Sequence, residues 1–284
     1  MNVFWYGTER ITCSCAFWVN RLIDQHNPAH YFLGGEPRPK DGAVIVFHGG
    51  NNPPEAVDTL NRWAEDQPWA VFISVGDEWG TFPYYELDGS KVWVQTPKPG
   101  VTSSVDRYFI EGYPHDCEKH LKEIGELDRC YDWSFAGQIN HQRRDELSYV
   151  LADCNGPHFL LETKAFGSGL SHDLYYTILR QSKVVPCPSG LATPDSFRFA
   201  EALEAGAVPV LDAYAPDRVK GYWEMVLGEH PFFVIEDWEQ FPEIVNVVNK
   251  KFEEFQKITQ EWWGKYKRDF SRWLEQDLIS LGAK

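Results

Sequence analysis

The densest group of chemically able side chains lies in residues 182–211, SKVVPCPSGLATPDSFRFAEALEAGAVPVL. An apolar run ends in a Pro188-Ser189-Gly190 turn, and Asp195 or Ser196 stands where a helix cap is favoured. Arg198, Glu201 and Glu204 follow at i, i+3 spacing, so they share one helix face. Gly206 ends the helix and Pro209 sits in the next strand. Free backbone N–H groups at such a helix start, with Ser189, Gly190 and Ser196 beside them, suit an anion. Arg198 offers a planar fork for phosphate oxygens. Glu201 cannot welcome phosphate directly, but it accepts hydrogen bonds from ribose or sugar hydroxyls. Together the pieces suit a nucleoside diphosphate-sugar better than an isolated phosphate. The same residues also fit an ordinary strand-helix-strand unit with an Arg198–Glu201 surface pair.

Other reactive side chains follow apolar runs. His48 precedes Gly49-Gly50 at the end of one run, and its near-neutral pKa suits a base or a phosphate donor. Asp77 and Glu78 follow Gly76 at the end of another, and either carboxylate could deprotonate an acceptor hydroxyl about 3 Å away. Arg143 and Arg144 begin a helix after a loop at Gly137, within reach of a diphosphate. His115-x-Cys117-x-x-His120, with Cys130 downstream, is the one metal-like cluster. It matches no paired spacing of structural zinc sites, and no metal site is expected.

The elements that must position these groups alternate. Strands are expected at 3–6, 43–47, 69–75, 92–96 and 108–111, with helices at 15–22 and 54–64. After a charged stretch, 118–132, the pattern restarts. Strands are expected at 133–136, 159–162, 182–187, 208–211 and 232–235, with helices at 142–152, 171–181 and 193–206. Strands separated by helical stretches imply α/β layers around parallel sheets. From 252 to 278 the residues Phe252, Phe255, Ile258, Trp262, Tyr266, Phe270, Trp273 and Leu278 recur three to five apart. That is an apolar stripe on a long helix, with Gly264 as a possible break. The expected domains are 1–125, 126–250 and a helical tail, 251–284, packing back on the body.

The chain has 284 residues, 43% of them apolar and 24% charged, which is globular composition. Its formal charge of -15 disfavours holding bare phosphate backbone, so nucleic acid is a disfavoured partner unless one face is basic. No run of 18 apolar residues offers a transmembrane helix. Glu9 and Arg10 interrupt any apolar signal sequence, so a cytoplasmic location is expected. The six cysteines, 13, 15, 117, 130, 154 and 187, are too sparse for a disulfide scaffold, and reduced thiols are the default.

The stretches CPSG (187–190) and SFRFAEALEAGAVPV (196–210), led by SHDLYYTILRQSK, resemble the exostosin-like family of glycosyltransferases. A looser match begins at FAGQINHQRR, 135–144. The resemblance implies a GT-B architecture: two Rossmann-like domains facing a cleft, the C-terminal one binding the nucleotide-sugar and the N-terminal one the acceptor. It implies transfer from a nucleoside-diphosphate sugar, often UDP-linked, to an acceptor hydroxyl, mostly with inversion, with no tightly bound cofactor. By motif position, Ser196, Arg198 and Glu201 would be donor residues, with Ser189, Gly190, Gly137, Arg143 and Arg144 around them. His172 would cap its helix or line the donor cleft. The strand-end Asp-x-Asp pair of the other major glycosyltransferase fold is absent, which favours a metal-independent reaction. The alternatives are a non-catalytic nucleotide-sugar or glycan-binding module and a transferase that adds sugar to nucleic acid.

Overall fold

The computed structural model describes residues 1–35, 38–52, 56–100, 105–165 and 169–283. The chain divides into two compact units. The first comprises Met1–Glu111, Met225–Leu227 and Tyr266–Lys284; the second comprises Gly112–Glu224 and Gly228–Lys265. The expected boundary at 125 thus moves to Glu111/Gly112. The charged stretch after which the pattern restarts contains a helix, α3 (Cys117–Ile124), which buries Cys117 and Leu121 and packs on helices of the second unit.

The first unit holds β1 (Asn2–Trp5), α1 (Phe17–Asp24), β2 (Ala29–Phe32), β3 (Ala43–His48), α2 (Ala56–Glu65), β4 (Ala70–Val75), β5 (Lys91–Gln95) and β6 (Arg107–Phe109). Its sheet has the order β2-β1-β3-β4-β5-β6, and every pairing is parallel. All six residues of β4 are buried, as are the first five of β3. Such unbroken apolar runs belong to strands covered on both faces. On α2 the buried Val57, Leu60, Trp63 and Ala64 form one face over Phe47 and Phe72. Pro54, expected in the first turn of this helix, lies outside the described residues.

The second unit holds α3, β7 (Tyr131–Gln138), α4 (Gln142–Asp153), β8 (His158–Thr163), α5 (His172–Arg180), β9 (Ser182–Cys187), α6 (Phe197–Glu204), β10 (Val208–Asp212), the first half of α7 (Tyr222–Leu227), β11 (Phe233–Ile235) and α8 (Phe241–Lys250). Its parallel sheet has the order β11-β10-β9-β7-β8. Trp133, Phe135, Leu147, Val184, Val210, Trp238 and Phe241 lie in its core.

The tail is one helix, α9 (Phe252–Ser280), and Gly264 does not break it. Its buried seam is Thr259, Trp263, Tyr266, Phe270, Leu274 and Asp277, recurring every three or four residues. This corrects the expected stripe: Ile258 is exposed, Trp262, Trp273 and Leu278 are only half-buried, and Trp263, Leu274 and two polar residues join the seam. In the second unit Gln256 and Gln260 donate to the carbonyls of Gly206 and Leu203 at 2.8 and 2.6 Å, which satisfies the end of α6. In the first unit Phe270 packs on Trp18 and Phe109, and Asp277 accepts from Trp93 Nε1 at 2.9 Å and from both nitrogens of the Arg107 fork, at 3.0 and 2.7 Å.

Candidate active site

In the second unit the chain passes from β7 to β8 on one side, then crosses to β9 on the other. In open α/β sheets ligands sit outside the carboxyl ends of the strands at such a reversal. Gly137 and Gln138 close β7 there, and the Pro188-Ser189-Gly190 turn follows β9. Arg198, on the first turn of α6, reaches over this edge. Its Nη2 donates to the Ala136 carbonyl at 2.6 Å, and its guanidinium lies 4.7 Å from the Phe135 ring centre. A Cβ at position 137 would stand 2.4 Å from that Nη2, so glycine is what admits the arginine.

Arg144 approaches from α4. It donates to the Ser189 carbonyl at 3.0 Å and the Gln138 carbonyl at 3.1 Å. Among the described residues neither Arg144 nor Arg198 forms an ion pair with a carboxylate. Burial, with the charge of Arg198 added, pushes the Arg144 pKa down to about 9. Two like charges held by neutral carbonyls are costly until an anion arrives. Around them Ser189 Oγ, Thr193 Oγ1, Ser196 Oγ, Arg198 Nε and His141 Nδ1 are buried without hydrogen-bond partners among the described residues. Buried polar atoms are nearly always paired, so these unpaired ones mark a candidate place for a polar ligand. Ser196 occupies the cap position of α6 without a side-chain bond, and its N–H is taken by the Asp195 carboxylate. Gly190, half-buried, continues the same loop.

Glu201 is the half of the motif that faces inward. It accepts from Tyr175 at 2.8 Å and Tyr176 at 3.2 Å. Burial pushes its carboxyl up, against the pull of these hydroxyls and of Arg198. It is therefore not a solvated surface partner of Arg198.

Two expected donor residues lie elsewhere. Arg143 is buried and forks onto Asp212, with further bonds to Glu146 and the Glu236 carbonyl. That internal pair occupies its guanidinium, and Asp212 in turn accepts from the Tyr214 N–H. Residue 143 faces inward on α4, and residue 144 faces the strand ends. His172 is largely exposed and sits on Asp116, with Nδ1 2.6 Å from Oδ2. Sequence reasoning did not single out His141, Thr193, Tyr175 or Tyr176. His141 stands at the cap of α4 with Nε2 3.1 Å from the Ser189 carbonyl, and its place just before Gln142-Arg143-Arg144 was the available signal.

The first unit has its own reversal between β1 and β3, and His48 closes β3 there. His48 Nδ1 accepts from the Asn51 N–H at 3.2 Å. Burial lowers the pKa of the ring, so it is neutral and Nε2 carries the hydrogen. That makes His48 a donor, not a base. Gly76, at φ 68°, backs onto this imidazole, and a Cβ there would lie 2.6 Å from Nε2. Asp77 is wholly buried. Its two oxygens accept from the Thr81 and Phe82 N–H groups and from the Thr81 and Tyr84 hydroxyls, so it holds its loop and is not poised as a base. Glu78 is half-buried, accepts no hydrogen bond among the described residues, and is pushed up in pKa by burial. Trp79 beside it is 58% exposed. Cys13 and Cys15 near His48 are joined as a disulfide, with Cα atoms 5.4 Å apart, where reduced thiols were expected; a bend of the backbone brings the two together.

Two parallel-sheet α/β units, each with polar groups gathered at its strand reversal, and a long closing helix define a GT-B glycosyltransferase fold. The chain belongs to the RXYLT1 C-terminal domain family of exostosin-like glycosyltransferases, whose model matches residues 115–281. Among solved structures it is similar to Anabaena HepE (Alr3699) in complex with UDP, at 13% identity and TM-score 0.57, covering 99% of this chain and 100% of that one. HepE in complex with UDP-glucose matches at 13% identity and TM-score 0.54, covering 98% and 99%. The DNA-modifying enzyme β-glucosyltransferase, studied with and without uridine diphosphoglucose, matches at 12% identity and TM-score 0.52, covering 99% and 100%. No curated protein matches the sequence. Among the described residues no helix is long and apolar enough to cross a membrane.

Proposed function

We propose that this protein transfers a sugar from a UDP-linked donor to an acceptor hydroxyl, with inversion and without a divalent ion in the reaction. One observation carries the reading: among the described residues Arg144 and Arg198 stand at the β7–β9 reversal without carboxylate partners, amid buried polar atoms that lack hydrogen bonds. The arginines and the α6 N-terminus bind the diphosphate, and Glu201 accepts a hydroxyl of the ribose or sugar. In the first unit Glu78 is the base, His48 a hydrogen-bond donor and Trp79 an aromatic face for an acceptor ring. Glu78 takes the acceptor proton, and the acceptor oxygen forms a bond to C1. The bond from C1 to the diphosphate oxygen breaks, and its electrons leave on the diphosphate. Arg144 and Arg198 stabilise the charge that grows there. The uridine nucleotides in the HepE and β-glucosyltransferase structures support a UDP-linked donor.

The test is a screen of nucleoside-diphosphate sugars for diphosphate release in chelator, repeated with saccharide, lipid-linked and DNA acceptors. Release that depends on one acceptor class, with anomeric inversion by NMR, is expected. Donor binding without release from any acceptor would make the protein a sugar-nucleotide binding module instead.

A further inference from the structure

A second cluster of functional side chains in the second unit holds none of the residues assigned to the donor site. Asp116 immediately precedes α3, His120 lies one turn into it, and His172 opens α5. One ligand atom from each of the three lies within 4.8 Å of the others. His120 Nε2 is 3.6 Å from Asp116 Oδ2, and His172 Nδ1 is 2.6 Å from the same oxygen. The other nitrogen of His120, Nδ1, is 2.6 Å from Asp173 Oδ1. If Nδ1 carries the hydrogen, Asp173 accepts it and His120 Nε2 is left as a lone pair aimed at Asp116. This carboxylate–imidazole arrangement orients metal-bound histidines and raises their basicity. Tyr176 stacks on the His120 ring with centres 5.6 Å apart and fixes its plane.

We propose that Asp116, His120 and His172 bind one zinc ion, with Asp173 orienting His120. Two imidazoles and one carboxylate are a borderline-soft donor set, which suits zinc and leaves a fourth position for water. His172, with a side chain 66% exposed, is the ligand nearest solvent. Ligands about 2.0–2.1 Å from a tetrahedral ion stand roughly 3.4 Å apart. The His120–Asp116 separation is already near that value. The shorter His172–Asp116 contact is a hydrogen bond that must lose its proton and open slightly. Bound zinc would tie the start of α3 to the start of α5. None of the three ligands contacts Arg144 or Arg198, but Tyr176, which stacks on His120, donates to Glu201, so the cluster borders the donor site.

The test uses the full chain, stripped with chelator and titrated with Co²⁺, followed by Zn²⁺ competition. One equivalent of Co²⁺ with strong visible absorption, displaced by Zn²⁺, is expected. His120→Ala and His172→Ala should each abolish it, with circular dichroism unchanged for the exposed His172. Asp173→Asn should keep the stoichiometry and weaken affinity about 10–100-fold. No stoichiometric binding, or binding that His172→Ala leaves intact, overturns the site. Sulfur-to-cobalt charge transfer would put the ion on a cysteine thiolate instead and overturn it equally. Unchanged affinity in Asp173→Asn would remove the orienting role.

Discussion

Replacing Arg198 gives the sharpest test of the donor site, because its guanidinium is divided between two tasks. Nη2 is spent on the Ala136 carbonyl, while Nε is buried without a partner, and Nη1 makes no hydrogen bond among the described residues. These two nitrogens are therefore available to donate to a diphosphate. Hydrogen bonds to charged groups are each worth about 1.5–3 kcal/mol, so the pair carries roughly 3–6 kcal/mol in total. Part of this binds the ground state. The share that grows as charge collects on the leaving diphosphate should be at least ~2.7 kcal/mol, or about 10²-fold in kcat/KM. Arg198→Ala should show that loss. Arg198→Lys should rescue poorly, because a point charge cannot hold Ala136 and a phosphate together. Gly137→Ala should fall between wild type and Arg198→Ala, since its Cβ would displace Nη2 without deleting it. Diphosphate release against donor concentration, donor affinity by calorimetry and thermal melts separate catalysis, binding and folding. If Arg198→Ala and Arg198→Lys are folded and unchanged in both donor affinity and kcat/KM, the donor site is elsewhere.

Three further outcomes are expected. Burial holds the Glu78 carboxyl above its ordinary range, so a catalytic base there is active above that raised pKa and fails as pH falls through it. Glu78→Gln should lower kcat by about 10²–10⁴-fold and remove the acid limb of the kcat/KM profile; an unmoved limb assigns the base to another residue. Asp277 is raised by burial but held below its usual range by Arg107 and Trp93, so it contributes stability above about pH 3.9 that is lost as pH falls through its lowered pKa. Asp277→Asn should cost about 1.5–3 kcal/mol in urea unfolding at neutral pH and progressively less as pH falls through the lowered pKa, and a difference that does not shrink in acid would contradict the linkage. Arg143→Ala strands the buried Asp212 and should destabilise by about 3–5 kcal/mol, whereas a loss under ~1 kcal/mol would mean the pair behaves like a surface one.

The sheet cores were legible because runs such as Ala43–Phe47 and Ala70–Val75 carry no polar interruption, apart from the buried Ser74. Strand β2 was missed because its four residues, Ala29–Phe32, are only partly buried and show no such run. On α9 the expected apolar stripe took Trp262 and Trp273 where Trp263 and Leu274 are buried, because adjacent large apolar residues leave the face undecided, and it omitted Thr259 and Asp277, which are buried through hydrogen bonds that no hydropathy pattern reveals. At the site, the Arg198–Glu201 spacing was readable because both lie on one short helix. The choice between Arg143 and Arg144 was not, since adjacent helical residues point about 100° apart and only the position of Asp212 decides which turns inward. The same limit hid the histidine cluster: His120 lies 52 positions before His172, and its local neighbour Cys117 is fully buried.

The membership of α9 has a consequence for synthesis. The first unit begins at Met1, yet Trp93 and Arg107 find their partner at Asp277, 184 and 170 positions later. At roughly 5–20 residues per second, a ribosome needs about 10–30 s to deliver that partner after Arg107 has emerged. During that interval Trp18, Phe109 and Trp93 lack the aromatic and ionic cover that Phe270, Trp273 and Asp277 later provide. The strands of the first unit thus stay without part of their apolar cover until residues 266–284 have been made.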